Sequence, residues 1–471
     1  MKHIAALLPG VLAVFAAGMV LAQVPGAETP QARYEAGLQA LASEPLLKAA
    51  READTAIVNV HVLTMTSARV LPAQTVLVRQ GKIAAIGPAD RLSPHAGMRI
   101  VDGQGGYLLP GLADMHVHSN GNPMSLLLFL ANGVTTVRQM SGRPEYLQWA
   151  RRAAAGEILA PDLYSTGPIL GEERGAAEAT AAQSDIAARV RAQYKAGYRA
   201  IKPYTFLTAQ AYRSAVAAAR QRRMYIVGHV PYSVGTAGVI EAGQDEIAHV
   251  HSFHQDYFRG FDPAHVFREY EVDDAFGERV TPQLLRVGIA VTTTLIVDQA
   301  LADAHDIDAY VSRPEMAYET PGAAAFMRSP EWTFDNLWQK DYLTRVYLPH
   351  LFRLTHDLQR GGVSLVLGTD SGVTGVVYGF SAHQELKLLV EAGLSPYEAL
   401  LTGTRNAAAA VRSRDWGTIE RGRRADLLLV RDNPLEHIGN TRHILGVMKR
   451  GHWLDRAELD RLLAQVREAY Q

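Results

Sequence analysis

The middle of the chain alternates between short apolar runs and longer stretches of helical periodicity. The helical stretches include 184–196, 208–222 and 341–360. The apolar runs predict eight strands, at 111–118, 134–140, 162–166, 200–204, 224–230, 246–252, 289–295 and 364–370. Eight strands with intervening helices fit a (β/α)8 TIM barrel over 109–411. A doubly wound open sheet is the alternative, but no glycine-rich fingerprint follows these strands, which argues against a nucleotide-binding version.

The two ends of the chain have a different pattern, in which short β-type runs lie close together. A hairpin with Gln80-Gly81 as its turn is predicted over 75–86. The other predicted strands are at 55–60, 98–102, 425–430 and 443–451. The fold class is therefore α/β, and two units are expected in addition to the barrel: a small β-sandwich domain built from 55–108 and 412–455, and a C-terminal helix over 456–471.

The N-terminus has the composition of an export signal. A short basic start precedes an apolar run over 4–20, and a small-residue cleavage site follows. A membrane anchor is the alternative, but the run is short and is interrupted by Pro9 and Gly10. We therefore expect a cleaved signal peptide at 1–22, an N-terminal arm at 23–54, and an exported, periplasmic protein with no membrane association after cleavage.

Composition narrows the functions that the chain can have. The 471 residues are 48% hydrophobic and 20% charged, with a formal net charge of −1, as in an ordinary soluble enzyme. This near-zero charge gives no electrostatic case for binding nucleic acid. Because there are no cysteines, any metal must be bound by histidine, carboxylate or a modified lysine. Barrels of this size often self-associate, so a homo-oligomer is compatible with the sequence.

Polar side chains follow five of the predicted strands at the carboxyl end, where barrel enzymes carry their chemistry. On the first strand, His116 and His118 are two residues apart and point to the same side. Four later strands end in one candidate ligand each, namely Lys202, His229, His249 and Asp370. A single buried histidine or lysine is usually a paired core residue. Six such residues in one order at strand ends predict a metal centre instead.

Other polar residues near the strand ends have two open interpretations. Tyr232 follows His229 closely and could donate to a carbonyl oxygen as it becomes an oxyanion, or it could pack. Arg138 ends the second strand and could bind a substrate carboxylate, or it could form an ion pair inside the barrel mouth. His251 and His254 are expected to line the cleft or lie at the surface, whereas His383 and Glu385 are expected to support the site or to be structural.

Several motifs in combination resemble the amidohydrolase superfamily, in particular its imidazolonepropionase-like and Xaa-Pro dipeptidase-like enzymes. The resemblance runs from about Thr55 to Leu454. The motifs are LPGLADMHVH at 109–118, NGVTTVR at 132–138, GHVP at 228–231, LGTDS at 367–371, EAGLSP at 391–396, GTIERGRRADL at 417–427 and NPL at 433–435.

The resemblance implies a centre of two divalent metal ions, usually zinc. The implied ligands are His116, His118 and Asp370 for the more buried ion, His229 and His249 for the second, and a carboxylated Lys202 that bridges both. A carbamate converts the lysine amine into a bidentate anion that spans two cations. In this arrangement Asp370 accepts a proton from the attacking water and later delivers it to the leaving nitrogen.

Two departures from relatives place the substrate pocket in question rather than the metal centre. Gln139 stands where relatives commonly carry aspartate, and the segment at 167–174 replaces a turn rich in glycine and histidine. Two long connections, at 253–279 and 296–338, are rich in aromatic residues, including Trp332 and Trp338 among others. They favour a pocket for an apolar or aromatic group, although aromatic residues also pack insertions.

These observations together predict an exported metal-dependent hydrolase. The predicted reaction is attack by a metal-activated hydroxide on the amide C–N bond of a dipeptide or an N-acyl amino acid, a small-molecule substrate. One alternative is hydrolysis of a cyclic amide, a lactone or a phosphotriester at the same centre. The other is a barrel without catalysis that serves as a scaffold, against which the intact set of ligand positions argues.

Overall fold

The computed structural model describes residues 54–171, 185–263, 265, 268–329, 339–373 and 375–470. Several predictions lie outside these residues: the signal peptide, all but the last residue of the N-terminal arm, the end of the segment at 167–174, and the tryptophans Trp332 and Trp338. Within the described chain, every helix is too short or too polar to cross a bilayer.

The described residues form fifteen strands, which we number in chain order. They are β1 (Thr55–Leu63), β2 (Val70–Arg79), β3 (Lys82–Pro88), β4 (Arg99–Pro110), β5 (Leu112–Val117), β6 (Val134–Gln139), β7 (Asp162–Ser165), β8 (Ala200–Ile201), β9 (Tyr225–Gly228), β10 (Glu246–Ala248), β11 (Ala290–Thr292), β12 (Leu365–Val366), β13 (Leu427–Val430), β14 (Ile444–Lys449) and β15 (His452–Asp455).

Sixteen α-helices are described as well. They are α1 (Met124–Ala131), α2 (Pro144–Ala155), α3 (Ile186–Ala196), α4 (Ala209–Arg220), α5 (Gly235–Ala242), α6 (His254–Tyr257), α7 (Phe276–Val287), α8 (Leu295–Asp303), α9 (Ile307–Val311), α10 (Pro321–Phe326), α11 (Lys340–Tyr342), α12 (Leu348–Arg360), α13 (Phe380–Glu391), α14 (Pro396–Thr402), α15 (Arg405–Ala410) and α16 (Arg456–Tyr470). The helices α3 and α4 begin where side-chain oxygens of Asp185 and Thr208 accept hydrogen bonds from backbone N–H groups of the first turn.

The two ends of the described chain combine in one seven-stranded sheet, in the order β15–β14–β13–β4–β1–β2–β3. The predicted hairpin is present as β2 and β3, and its turn residues Gln80 and Gly81 have φ of 49° and 71°, as a two-residue hairpin turn requires. A bridge between Lys82 and Arg424 brings the β3 edge back to the residues before β13. The sheet therefore curls around its own apolar core, which includes Ile57, Val76, Ile419 and Met448. Among the described strands it is a single curled sheet, and the second facing sheet of a sandwich is not seen.

The eight strands predicted for the middle of the chain are all present, as β5 to β12, and all of their pairs are parallel. They form a three-stranded sheet, β5–β6–β7, and a five-stranded sheet, β8 to β12. Single parallel bridges, Leu170–Pro203 and Val117–Ser371, join the edges of the two sheets. The arrangement is the α/β fold that was predicted, consistent with a barrel, but the described ladders do not close into one continuous sheet.

Glycine at one strand end allows two neighbouring strands to meet at the site. A Cβ at Gly368, just after β12, would lie 2.7 Å from His116 Cβ on β5. That distance is shorter than real side chains adopt, so only glycine lets these two chain segments approach so closely. This contact places the end of β12, and Asp370 beyond it, against the candidate ligands of β5.

Candidate metal centre

Three candidate ligands meet where β5 and β12 end. Asp370 Oδ1 lies 3.2 Å from His116 Nε2 and 3.0 Å from His118 Nε2. Ligand atoms of these three residues all lie within 4.8 Å of one another. Asp370 Oδ1 is buried and, within the described contacts, has no hydrogen-bond partner, so neither imidazole donates a well-directed bond to it. A carboxylate oxygen enclosed by two imidazole nitrogens is the donor set that a divalent cation such as zinc requires.

The electrostatics of the group favour a bound cation. Burial, and then the charge of Lys202, lowers the pKa of His116 to about 3. Burial also places the pKa values of His229 and His249 well below their ordinary range. These imidazoles are therefore neutral and have lone pairs available, which is the form that binds metals. Burial would raise the pKa of Asp370, but His116 and the neighbouring His118 hold it well below its usual range, so Asp370 is ionised.

The other three predicted ligands lie directly beside this group. Lys202 Nζ is 3.1 Å from His116 Nε2. The ring centroid of His249 is 4.3 Å from that of His116, and the His229 centroid is 4.7 Å from that of His249. The structure therefore brings all six predicted residues together at one end of the parallel strands, although they come from five separate strand ends.

Two threonines that the sequence analysis did not single out orient the second pair of histidines. Thr205 Oγ1 is 2.7 Å from His229 Nδ1, and Thr294 Oγ1 is 2.8 Å from His249 Nδ1. With Nδ1 bonded in each ring, Nε2 is left for the centre, which is how outer groups commonly orient metal-binding histidines. The signal in the sequence was weak, since it was only that each threonine lies at or just after the end of a predicted strand.

Backbone strain is concentrated at the same place. His249, Thr294 and Asp370 have φ of 70°, 54° and 58°, in a region that side chains other than glycine rarely adopt. Such conformations persist only where the surrounding contacts enforce them, and they cluster at functional sites. Here they turn two candidate ligands, and the threonine that orients one of them, away from the direction of the preceding strand.

Two buried carboxyl groups hold the strand ends in place through hydrogen bonds. Glu385 accepts hydrogen bonds from Thr293 Oγ1 at 2.5 Å and from the Ile296 N–H at 2.8 Å, and burial raises its pKa to about 8. Asp114 accepts from the Thr369 N–H at 3.0 Å and from its hydroxyl at 2.6 Å, and burial raises its pKa to about 7. Glu385 was predicted to support the site or to be structural, and its hydrogen bonds hold the segment at 293–296, whereas Asp114 was not singled out.

Arg138 is buried in an ion pair with Glu246. Its Nη1 donates to Glu246 Oε2 at 2.9 Å, its Nη2 donates to the other carboxylate oxygen, and its Nε donates to the Met115 carbonyl at 2.8 Å. Glu246 also accepts a hydrogen bond from the Tyr225 hydroxyl. Of the two predicted roles the structure thus shows the ion pair, and it does not support a role for Arg138 in binding a substrate carboxylate.

Replacing Arg138 is therefore expected to affect stability rather than substrate binding. Arg138→Met leaves the Glu246 carboxylate buried without its cation, which costs about 3 kcal/mol of unfolding free energy. Arg143→Met, which removes a half-exposed partner of Glu145, is the matched control and should cost less than about 1 kcal/mol. Denaturant unfolding measures both values. A KM that rises only for substrates with a free carboxylate would contradict this assignment.

The remaining predicted residues are placed as follows. The half-buried Tyr232 packs its ring between Phe206 and Phe261, with centroids 6.0 and 5.1 Å away, so its packing role is seen and its donor role stays a prediction. Both His251 and His254 are buried rather than at the surface.

Two polar residues away from the centre hold the fold together. Gln139 donates to Ser119 Oγ at 2.6 Å and accepts from the Ser119 N–H at 3.0 Å. His383 lies 2.9 Å from the Asn132 carbonyl and 3.0 Å from Thr441 Oγ1. The glutamine that departs from relatives is therefore buried and bonded to the end of the neighbouring strand β5, and His383 has the structural one of its predicted roles.

Comparison with known proteins agrees with this arrangement. Residues 107–454, most of the chain, match the model of the Amidohydrolase family. The chain belongs to this family. The resemblance predicted from its motifs is thereby confirmed. The matched residues include the strands that carry the candidate ligands and part of the seven-stranded sheet.

Solved structures of other family members have the same fold. A bottromycin amidohydrolase is 22% identical, with 93% of this chain and 96% of that one covered and a TM-score of 0.70. A Xaa-Pro dipeptidase with bound methionine is 20% identical, with 86% and 100% covered and a TM-score of 0.64. A putative prolidase from Bifidobacterium longum is 23% identical, with 88% and 99% covered and a TM-score of 0.64. At these identities the likeness concerns the fold alone.

Matches to curated sequences are shorter. Adenine deaminase 2 of Shouchella clausii is 35% identical over 88 residues, 18% of this chain and 15% of that protein. Imidazolonepropionase of Idiomarina loihiensis is 31% identical over 111 residues, 22% of this chain and 27% of that protein. The chain thus matches only a small part of the length of these relatives, and they do not define its substrate.

Proposed function

We propose that this chain is an exported, metal-dependent hydrolase that cleaves the amide C–N bond of a dipeptide or an N-acyl amino acid. The observation that carries the proposal is the buried Asp370 Oδ1, which faces His116 and His118 and has no hydrogen-bond partner of its own within the described contacts. Membership of the Amidohydrolase family, and neighbours in fold named as prolidase and dipeptidase, support it.

Six side chains would hold two divalent ions, and their nitrogen and oxygen donors suit zinc. The proposed set is His116, His118 and Asp370 for one ion, His229 and His249 for the other, and carboxylated Lys202 between them. A bound pair of divalent ions supplies a water of lowered pKa and a polarised substrate carbonyl.

The chain's own residues then move the protons. The ionised Asp370 carboxylate takes a proton from the water that attacks the amide carbonyl, and the same group returns that proton to the nitrogen as the C–N bond breaks. The Tyr232 hydroxyl is proposed to donate to the carbonyl oxygen while negative charge develops on it. The products are a free carboxylate and a free amine.

The bridging role of Lys202 gives a testable metal count. Lys202→Ala is expected to reduce the bound zinc from about two ions per chain to about one, because the second ion loses its link to the buried group. Metal analysis after dialysis measures this count. Lys387→Ala, which removes an exposed lysine paired with Glu391, is the control and should bind zinc as the natural chain does. An unchanged zinc content in Lys202→Ala would rule out the bridge.

The function itself is tested with the purified protein, supplied with zinc and bicarbonate, against dipeptides and N-acyl amino acids. Lactones and a phosphotriester belong in the same library, because the same centre would activate water for those electrophiles as well. Zinc-dependent release of free amino acid is the expected result. Turnover of lactones or phosphotriesters alone would replace the amide proposal with its alternative, and no turnover with zinc bound would contradict both.

Export and domain organisation also stand as proposals. We propose that residues 1–22 are removed as a signal peptide and that the mature protein is periplasmic, which N-terminal sequencing of the fractionated protein would test. We further propose a composite domain from 55–108 and 412–455 around the barrel at 109–411.

A further inference from the structure

Eight aromatic side chains form a closed circuit of ring contacts that includes two of the candidate ligands; we call it the aromatic collar. Its histidine members are His229, His249, His251 and His254. Its other members are Tyr204, Phe206, Tyr232 and Phe261. The circuit passes beside the metal centre, because the candidate ligands His229 and His249 are neighbours in it.

Neighbouring members of the circuit lie at the distances of ordinary aromatic contacts. Ring centroids of neighbouring members are between 4.2 Å, for Tyr204 and His229, and 6.4 Å, for Tyr204 and Phe206. Among the ring contacts of the described residues, none joins two members that are not neighbours around the circuit.

The exposure of the members shows how the collar is built. His249, His251 and His254 are buried and lie on the side of the metal centre. Tyr204, Phe206, His229, Tyr232 and Phe261 are only partly buried. A set of partly exposed aromatic rings beside a reaction centre is typical of a substrate pocket, because purely structural aromatic residues bury their rings.

Hydrogen bonds fix the orientation of two of the collar's histidines, which stack on each other. His251 Nδ1 lies 3.0 Å from the Asp298 carboxylate, and its ring stacks on His249 at 4.6 Å and 6°. His254 Nε2 lies 2.8 Å from the Tyr347 hydroxyl, which in turn donates to Asp298. The partly buried members Tyr204, Phe206, Tyr232 and Phe261 offer π faces and apolar edges, and the collar contains no lysine or arginine.

We infer that the collar is the specificity pocket of the enzyme and that it binds an aromatic group of the substrate next to the scissile amide bond. The inference rests on the proposed hydrolase function and names its substrate class. Offset or edge-to-face contacts with the partly exposed rings hold a phenyl, phenol or indole group, while the adjacent amide lies at the metal centre. Small side chains make fewer contacts with these rings and bind less well.

Truncation of the two phenylalanines tests the pocket by hydrolysis. The natural chain should hydrolyse substrates with an aromatic side chain with a kcat/KM about a hundredfold above the matched alanine substrates. Phe206→Ala and Phe261→Ala should each reduce that preference about tenfold, and Phe261→Leu should reduce it less, because it keeps apolar contact but not the ring. Tyr318→Ala is the matched control, since Tyr318 stacks on Phe380 outside the collar, and it should keep the full preference.

Equilibrium binding to the metal-free protein separates this inference from the proposed function. L-phenylalanine should bind more tightly than L-alanine by calorimetry, and Phe261→Ala should remove most of the difference. If no amide is hydrolysed but this difference is found, the hydrolase proposal fails and the pocket stands. If amides are hydrolysed with equal kcat/KM for aromatic and small side chains, or the phenylalanine variants keep the natural preference, the pocket is overturned.

Discussion

Asp370→Asn is expected to lower kcat at least about a thousandfold, because it removes the group proposed both to accept the proton of the attacking water and to bind the metal. The carboxamide has nearly the same shape as the carboxylate, but it is not a base and is a weaker ligand. The Oδ1 atom that lies between His116 and His118 would then face them as a neutral oxygen or as an N–H donor.

Steady-state kinetics and metal analysis on the same preparations check this result. Asp303→Asn is the matched control, because that carboxylate is exposed and accepts only a hydrogen bond from Gln299; it should leave kcat within about twofold. Thermal unfolding of both variants verifies that they are folded. An Asp370→Asn enzyme that binds its full zinc and keeps kcat within tenfold of the natural chain would remove Asp370 from the mechanism.

Much of the fold follows from apolar runs alone. Each run predicted as a central strand is a strand in the structure, and the helices at 186–196, 209–220 and 348–360 lie where periodicity placed them. The strands are shorter than the runs, because the chain leaves the ladder to turn toward the centre. That turn depends on contacts such as Gly368 against His116, which no local pattern records. The single curled sheet at the chain ends, in place of two facing sheets, likewise depends on how β3 returns to residue 424.

The candidate ligands could be predicted from the sequence because their positions at the ends of strands were enough to bring them together. Strand-end placement brought together His116, Lys202 and Asp370 and their partners, because parallel strands present their carboxyl ends on one side. The roles of Arg138, Thr205 and Thr294 were not predictable in this way, since each depends on which residue faces it across the site. Glu246 stands 108 positions from Arg138, and nothing in the local sequence of either marks the pair.

A buried charge cluster joins the parallel strands to the seven-stranded sheet and carries the second large prediction. Asp162, at the start of β7, accepts hydrogen bonds from Lys449 Nζ at 2.6 Å and from Arg450 Nη2 at 2.6 Å, and Arg424 Nη2 lies 2.9 Å away. Asp426 completes the cluster, 2.9 Å from Lys449 Nζ. The basic residues come from the seven-stranded sheet or from the segment before β13, so this carboxylate links the two parts of the protein.

Asp162→Asn should lower the unfolding free energy by about 3–5 kcal/mol, because it removes one of the two buried anions that pair with the cations of the cluster and leaves only Asp426 to neutralise them. Glu391→Gln, in the exposed pair with Lys387, is the control and should cost less than about 1 kcal/mol.

The three cations hold the pKa of Asp162 well below its usual range, although burial opposes them. The carboxylate thus stabilises the fold above its unfolded pKa of about 4, and this contribution is lost as the pH falls further. Denaturant unfolding at neutral and acidic pH should therefore show a gap between the natural chain and Asp162→Asn that narrows below about pH 4; a gap that is small at neutral pH would mean that the cluster does not join the two parts.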